Sequence, residues 1–324
     1  MKHRVLSGIR ATGRLHLGNY LGAVKGMLAL QDNPDYETFY MVADVHTITT
    51  PYDIEALRKN RREVILDYLA AGLDPERSVI FQQSEVPQHL ELAFYFSSVV
   101  TIAKMQHLPT FKDKVKQYPE HATLALLNYP ALMAADILIY NADCVPVGID
   151  QEPHLEVARE VARRFNQDYG TSFPEPKSFQ TTGAYVPSLT GEGKMSKSVE
   201  GSYINLTDSL DEIRKKVRSV PTSSEVGGEK TGGIKTLFEY LKLFDDNKYG
   251  YFDEQFQNGS LKYVELKDHI AEVIYAELAG FQGKRLELEN NPEYVDRVIA
   301  DGARKAREEA SQTIAEVRSK MGLA

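Results

Sequence analysis

The 324-residue sequence holds a single cysteine, Cys144. One thiol cannot close a disulfide within a chain, and it excludes a four-cysteine zinc or iron–sulfur site. No protein-bound metal or iron–sulfur cluster is therefore expected. Apolar runs are short, none approaching the roughly 18 residues of a membrane span. The opening Met1-Lys2-His3-Arg4 has no apolar signal core behind it. No membrane partner is expected, and a cytoplasmic location is the default. Neither GxGxxG nor GxxxxGK[ST] occurs, which weakens dehydrogenase and P-loop readings. Internal repeats and low-complexity tracts are also absent. Positive charge is not in excess either: the formal net charge is -8, which argues against indiscriminate coating of nucleic acid but leaves room for local basic patches.

What remains is an ordinary globular composition, 42% apolar and 26% charged, on a chain long enough for two structural units. The first half alternates strand-like and helical runs. Arg4–Ser7, Thr38–Val42, Ser78–Phe81 and Asp143–Val147 read as strands. Asn19–Leu30 and Ile54–Gly72 read as helices, the second capped by Asp53. This predicts an α/β fold with a doubly wound parallel sheet, whose ligand edge lies just past the strand ends. Residues 88–170 read as mostly helical, broken by Pro109, Pro119 and Pro130, and 171–193 as irregular. Beyond about residue 206 strands nearly vanish. Leu210, Ile213 and Val217 share one helical face behind Asp208, Leu237, Leu241 and Phe244 another, and Ile270, Val273, Ile274 and Leu278 a third. Asn291-Pro292 is a helix start. The predicted division is 1–200, including the helical insertion at about 88–170, and an all-helical domain over 201–324.

Two segments carry chemistry. In Ser7-Gly8-Ile9-Arg10-Ala11-Thr12-Gly13-Arg14-Leu15-His16-Leu17-Gly18-Asn19, glycines let backbone approach a ligand, and a helix mouth follows. His16 and Asn19 fall on its first turn as donors to phosphate or ribose; a plain capping histidine is the blander reading. Lys194-Met195-Ser196-Lys197-Ser198 places two ammonium groups and two hydroxyls in a glycine-flanked loop. Such a clamp stabilises charge gathering on phosphate oxygens, and if it closes only on the reaction complex it favours the transition state.

Together and in this order, these segments resemble the paired nucleotide-gripping signatures of class I aminoacyl-tRNA synthetases. Tyr129-Pro130-Ala131-Leu132-Met133-Ala134-Ala135-Asp136, then Val145-Pro146-Val147-Gly148-Ile149-Asp150-Gln151 with His154 and Glu156, sharpen the resemblance to the bacterial-type tryptophanyl-tRNA synthetases. The likeness spans nearly the whole chain. It implies a Rossmann-like catalytic domain, a C-terminal helical domain that binds the anticodon, and a homodimer. It further implies activation of L-tryptophan with ATP and Mg2+, then transfer to tRNA(Trp). Lys114, Lys194 and Lys197 would act on the triphosphate. The ATP set would be Arg10, Ala11, Thr12, His16, Gly18, Asn19, Gly148, Ile149, Asp150, Val186, Lys194, Met195, Ser196, Lys197 and Ser198. Asp136 would accept the indole N–H, with Tyr129, Met133, His46 and Gln151 around the amino acid.

Spacing alone places Tyr129, Met133 and Asp136 on one helix face, an aromatic, a thioether and a carboxylate suited to an indole. A helix-terminal or ion-paired aspartate is the alternative at that position. The sequence departs from the family in Arg10-Ala11-Thr12 where Gln-Pro-Ser is common, in Ile149 where glutamate is common, and in Leu6 where an aromatic sometimes stands. Basic runs at Lys112/Lys114/Lys116, Arg58/Lys59/Arg61/Arg62 and Arg214/Lys215/Lys216/Arg218 read first as solvated faces, Lys114 excepted; some could meet tRNA phosphates. The rival functions are a tyrosine enzyme of the same fold, a non-charging tryptophan- or nucleotide-binding relative, and a nucleotidyltransferase.

Overall fold

The computed structural model describes residues 2–148, 151–179, 185–197, 199–222 and 227–324, so the expectations for Ile149, Asp150 and Ser198 lie outside the described residues. The chain folds as two compact units. One, here the sheet unit, comprises residues 1–13, 27–181 and 288–324; the other, the helical unit, comprises 14–26 and 182–287.

In the sheet unit five parallel strands stand in the order β3-β2-β1-β4-β5. They are β1 His3–Arg10, β2 Tyr36–Ala43, β3 Ser78–Gln82, β4 Cys144–Pro146 and β5 Lys177–Phe179. The first four contain or overlap the expected runs. β2 is buried from Thr38 through Ala43, as a central parallel strand covered on both faces must be. β5 is an addition: a three-residue strand with Lys177 and Ser178 exposed, in the stretch expected to be irregular. Strand order grows away from β1 in both directions, so the switch of winding falls between β1 and β4. There the adjoining loops diverge and leave a crevice at the carboxyl edge.

Between β1 and β2 runs the helix Lys25–Asp32. The α-helices between β2 and β5 are Ile54–Ala70, Gln88–Phe96, Ile102–His107, Pro109–Gln117, Leu124–Leu138 and Glu152–Tyr169. Asp53 caps the first of these, accepting from the Ala56 N–H at 2.6 Å. Pro109 opens a helix rather than ending one. Pro130 corrects the sequence reading outright, since it lies inside Leu124–Leu138. Its missing N–H frees one carbonyl, but Pro130, Ala131, Ala134 and Ala135 are buried and pack this helix against Gln88–Phe96 and Glu152–Tyr169. Tertiary packing overrides the local break.

Helices Leu210–Arg218, Gly232–Phe244 and Tyr249–Asn258 and most of Tyr263–Glu289 build the helical unit. Ser209 rather than Asp208 caps the first, in a reciprocal box with Glu212; Asp208 instead pairs with Lys216 at 2.5 Å. The last helix, Pro292–Met321, starts at the expected Asn291 cap yet belongs to the sheet unit. Its Ala306, Ala310, Ile314 and Val317 join the sheet's core, and Thr313 Oγ1 donates to the Ile139 carbonyl at 2.7 Å. The packing therefore divides the chain differently from a single boundary at residue 200.

Candidate active site

The crevice predicted by the strand order is a cavity of about 480 Å3 in the sheet unit, within the range of small-molecule sites. β1 contributes Leu6, Ser7, Gly8 and Arg10 to its wall, β2 Met41 and Ala43, and the segment from β4 onward Val145 to Gly148 and Gln151. Helix Leu124–Leu138 supplies Tyr129, Met133 and Asp136 from one face, as their spacing required. His46, Lys114, Thr49, Thr50 and Thr110 add to the polar part of the lining.

Asp136 is 1% exposed. Its Oδ1 accepts from Gln83 Nε2 at 2.7 Å and His89 Nδ1 at 2.6 Å, and its Oδ2 from His46 Nε2 at 2.7 Å. Burial pushes the carboxyl up, but the hydrogen bonds from His46 and His89 outweigh that and hold it below its ordinary range. The group is thus an anion in a largely apolar chamber. Beside it, burial raises the Tyr129 phenol to about 12. That hydroxyl meets His154 Nε2, and the ring stands edge-on to His46 at 6.3 Å between centroids.

Two cations share the cavity. Arg10 Nη2 donates to the His46 carbonyl and to Thr50 Oγ1, both at 3.1 Å, while its buried Nε has no partner among the described residues. Lys114 Nζ reaches Gln117 Oε1 at 2.8 Å and lies over the Tyr118 ring. Burial, then the charge of Arg10, lowers its pKa. Ala11 is buried and Thr12 exposed just beyond β1.

Of the other predicted nucleotide residues, His16, Gly18, Asn19, Val186, Lys194, Met195, Ser196 and Lys197 lie in the helical unit, where the two signature segments meet. Leu17 N–H donates to the Ile204 carbonyl at 2.9 Å and Leu206 N–H to that of Leu15 at 3.1 Å. Met195 N–H donates to the Val186 carbonyl at 3.0 Å, and Gly18 N–H reaches Met195 Sδ at 3.3 Å. Burial and the charges of Lys197 and Lys194 push His16 down to about 4, so at neutral pH it is an uncharged imidazole. Asn19 Oδ1 accepts the His16 N–H at 3.3 Å. Lys194 is exposed, and Ser196 and Lys197 are half-buried.

Gln83, His89 and Tyr140 are functional candidates that sequence reasoning missed. Gln83 follows β3 directly, so the rule that polar residues past strand ends face the ligand edge could have found it, whereas His89 lies in the next helix, Gln88–Phe96. The basic runs are mostly ion-paired within their own units: Arg58 with Glu55, Arg61 with Asp44, Arg62 with Asp296, Arg214 with Glu272 and Arg218 with Asp268. Among the described residues no group of three or more His, Cys, Asp or Glu is arranged to hold a metal ion, and no helix is long and apolar enough to cross a membrane.

Residues 1–279 match the family of tRNA synthetases class I (W and Y), and the chain belongs to that family. It is 41% identical to the tryptophan–tRNA ligase of Porphyromonas gingivalis over 98% of each chain. Against that of Thermotoga maritima it is 39% identical over 99% of each. The tryptophanyl-tRNA synthetase of Campylobacter jejuni, solved with ADP and tryptophan, superposes with a TM-score of 0.87 at 31% identity, covering 99% of this chain and 100% of the other. A tyrosyl-tRNA synthetase from Archaeoglobus fulgidus, at 21% identity and a TM-score of 0.67, shares the fold.

Proposed function

We propose that this chain is a tryptophan–tRNA ligase. An oxygen of the tryptophan carboxylate attacks the α-phosphorus of ATP, the bond to pyrophosphate breaks, and tryptophanyl adenylate forms. The 3′-terminal ribose of tRNA(Trp) then takes the acyl group and AMP leaves. Mg2+ enters on the triphosphate as part of the substrate. No side chain is asked to abstract a proton; positioning and charge stabilisation lower the barrier.

The observation that carries this reading is Asp136, an ionised acceptor in a cavity whose wall also includes Tyr129, Met133 and several aliphatic side chains. An indole brings one N–H and a large apolar body, and this chamber has one of each to meet them. His46 and Gln151 flank the amino acid, and Arg10 and Lys114 answer its carboxylate and the phosphates. The ATP role of His16, Gly18, Asn19, Val186, Met195, Ser196, Lys194 and Lys197 is proposed on the meeting of the two signature segments. Ala11, Thr12 and Gly148, together with Ile149, Asp150 and Ser198, are carried by the family resemblance.

We assign anticodon reading to the helical part of the chain and a cytoplasmic place of action to the enzyme. A homodimer is part of the proposal. Leu90, Phe94, Ile102 and Leu124, at 52%, 76%, 66% and 82% exposure, are exposed apolar side chains on helices of the sheet unit that a second copy would cover.

Incubating the full chain with ATP, labelled tryptophan and tRNA(Trp) tests the whole sequence of steps. Charged tRNA is expected; adenylate without charging would point instead to a non-charging relative.

A further inference from the structure

A carboxylate offers about four acceptor positions, two on each oxygen. On Asp136, Oδ1 already takes two donors, Gln83 and His89, whereas Oδ2 takes one, from His46. His89 is itself fully buried, and its far nitrogen, Nε2, lies 2.7 Å from the Tyr140 hydroxyl. Tyr140 is also fully buried, its ring stacked on Phe39 at 4.7 Å and met edge-on by Phe81 at 5.5 Å. That phenol must place its hydrogen somewhere. Were both nitrogens of His89 protonated, the hydrogen would be buried with no acceptor beside it among the described residues. The hydroxyl therefore donates to Nε2, and the single imidazole proton sits on Nδ1, aimed at Oδ1. Burial, then the charge of Asp136, keeps the phenol well above its ordinary range, so it does not give its proton up.

We infer that His89, fixed in one tautomer by Tyr140, acts with Gln83 as a two-point positioning clamp on Asp136 that fills Oδ1 and leaves Oδ2 as the oxygen receiving the indole N–H. This rests on the reading of Asp136 as the indole acceptor. With its proton on Nδ1 aimed at Oδ1, His89 orients the carboxylate, and the bond from Oδ2 to the substrate N–H is charge-assisted. A clamped carboxylate cannot rotate to satisfy itself elsewhere. Phenylalanine, which lacks the donor, then strands the open position on Oδ2.

Tyr140→Phe keeps the ring and deletes the tautomer lock. His89→Asn keeps a donor for Oδ1 but, being shorter, leaves no atom where Nε2 met the Tyr140 hydroxyl, and His89→Leu keeps neither. In tryptophan-dependent pyrophosphate exchange by the full chain, Tyr140→Phe is expected to raise KM for tryptophan about tenfold. Its kcat should fall less than that, and KM for ATP should not move. The preference for tryptophan over phenylalanine should narrow in the same variant, and His89→Asn should retain more of it than His89→Leu. Tyr140→Phe loses one oxygen, so it carries the test if His89→Leu does not fold. Lower melting temperatures with unchanged tryptophan KM and unchanged selectivity would reduce these residues to packing and overturn the inference. If the unmodified chain uses no tryptophan, the function reading falls. If it does, and only Asp136→Asn loses selectivity, the clamp alone falls.

Discussion

Gly18 and Met195, 177 residues apart in sequence, are joined by a hydrogen bond from the Gly18 N–H to the Met195 sulfur at 3.3 Å. The bond ties the helix mouth behind His16 to the segment that carries Lys194 and Lys197. Position 18 is tight for a side chain. A Cβ there would sit 3.0 Å from Cε1 and Nδ1 of the His16 ring and 3.3 Å from Met195 Cβ.

Gly18→Ala is therefore expected to displace the imidazole and the lysine segment together. Misplacement by a full ångström costs about 100-fold in rate, so relief of these contacts by a few tenths of an ångström should cost about tenfold. Stopped-flow measurement of adenylate formation should show a loss of that order, while calorimetric binding of tryptophan, whose proposed pocket is in the sheet unit, stays as in the parent. A parent-like rate would mean that this packing is unrelated to catalysis.

Lys197→Ala removes a cation proposed to act as charge gathers on the phosphates. Loss of one such donor typically slows the chemical step by about 100- to 1,000-fold. Single-turnover kinetics should show that loss with an unchanged Kd for tryptophan. Parallel losses in rate and in tryptophan affinity would contradict the clamp.

The depressed pKa of His16 also predicts a pH dependence of stability. Its native value is about 4, against about 6.5 for an unfolded histidine. Above the unfolded value both states are neutral there and the residue contributes no pH dependence. Between the two values the unfolded chain takes a proton that the native site refuses, so stability falls as pH drops. Below the native value both states are protonated and the loss levels off. The gap corresponds to about 3 kcal/mol. Urea midpoints at stepped pH should show the parent losing stability relative to His16→Asn across that window, and a constant difference would refute the assignment.

At Gly302 a Cβ would lie 1.8 Å from the Ile80 carbonyl oxygen of β3. Gly302→Ala must push the last helix off the edge strand. Overpacking of this kind costs about 1–3 kcal/mol, readable as a lower denaturant midpoint. An unchanged midpoint would mean that the helix does not dock there as described.

Much of this was legible in the sequence, for identifiable reasons. β2 could be read because a run such as Phe39–Val42 has few alternatives in a buried parallel strand. Tyr129, Met133 and Asp136 could be placed on one face because helical spacing is local. β5 could not, since Lys177-Ser178-Phe179 is short and half polar, and it pairs only because β4 offers an edge. The docking of Pro292–Met321 was hidden too: an amphipathic period shows that a face is covered, not by what. Gln83 and His89 escaped because their partner, Asp136, lies some fifty residues on, at 53 and 47 positions, and no motif spacing links them.

Exchange of labelled pyrophosphate into ATP, run with each amino acid in turn, tests the specificity at the centre of this account. Tryptophan alone is expected to drive it. Exchange driven by tyrosine, or none with tryptophan, would contradict the assignment of Asp136 as a receptor for the indole N–H.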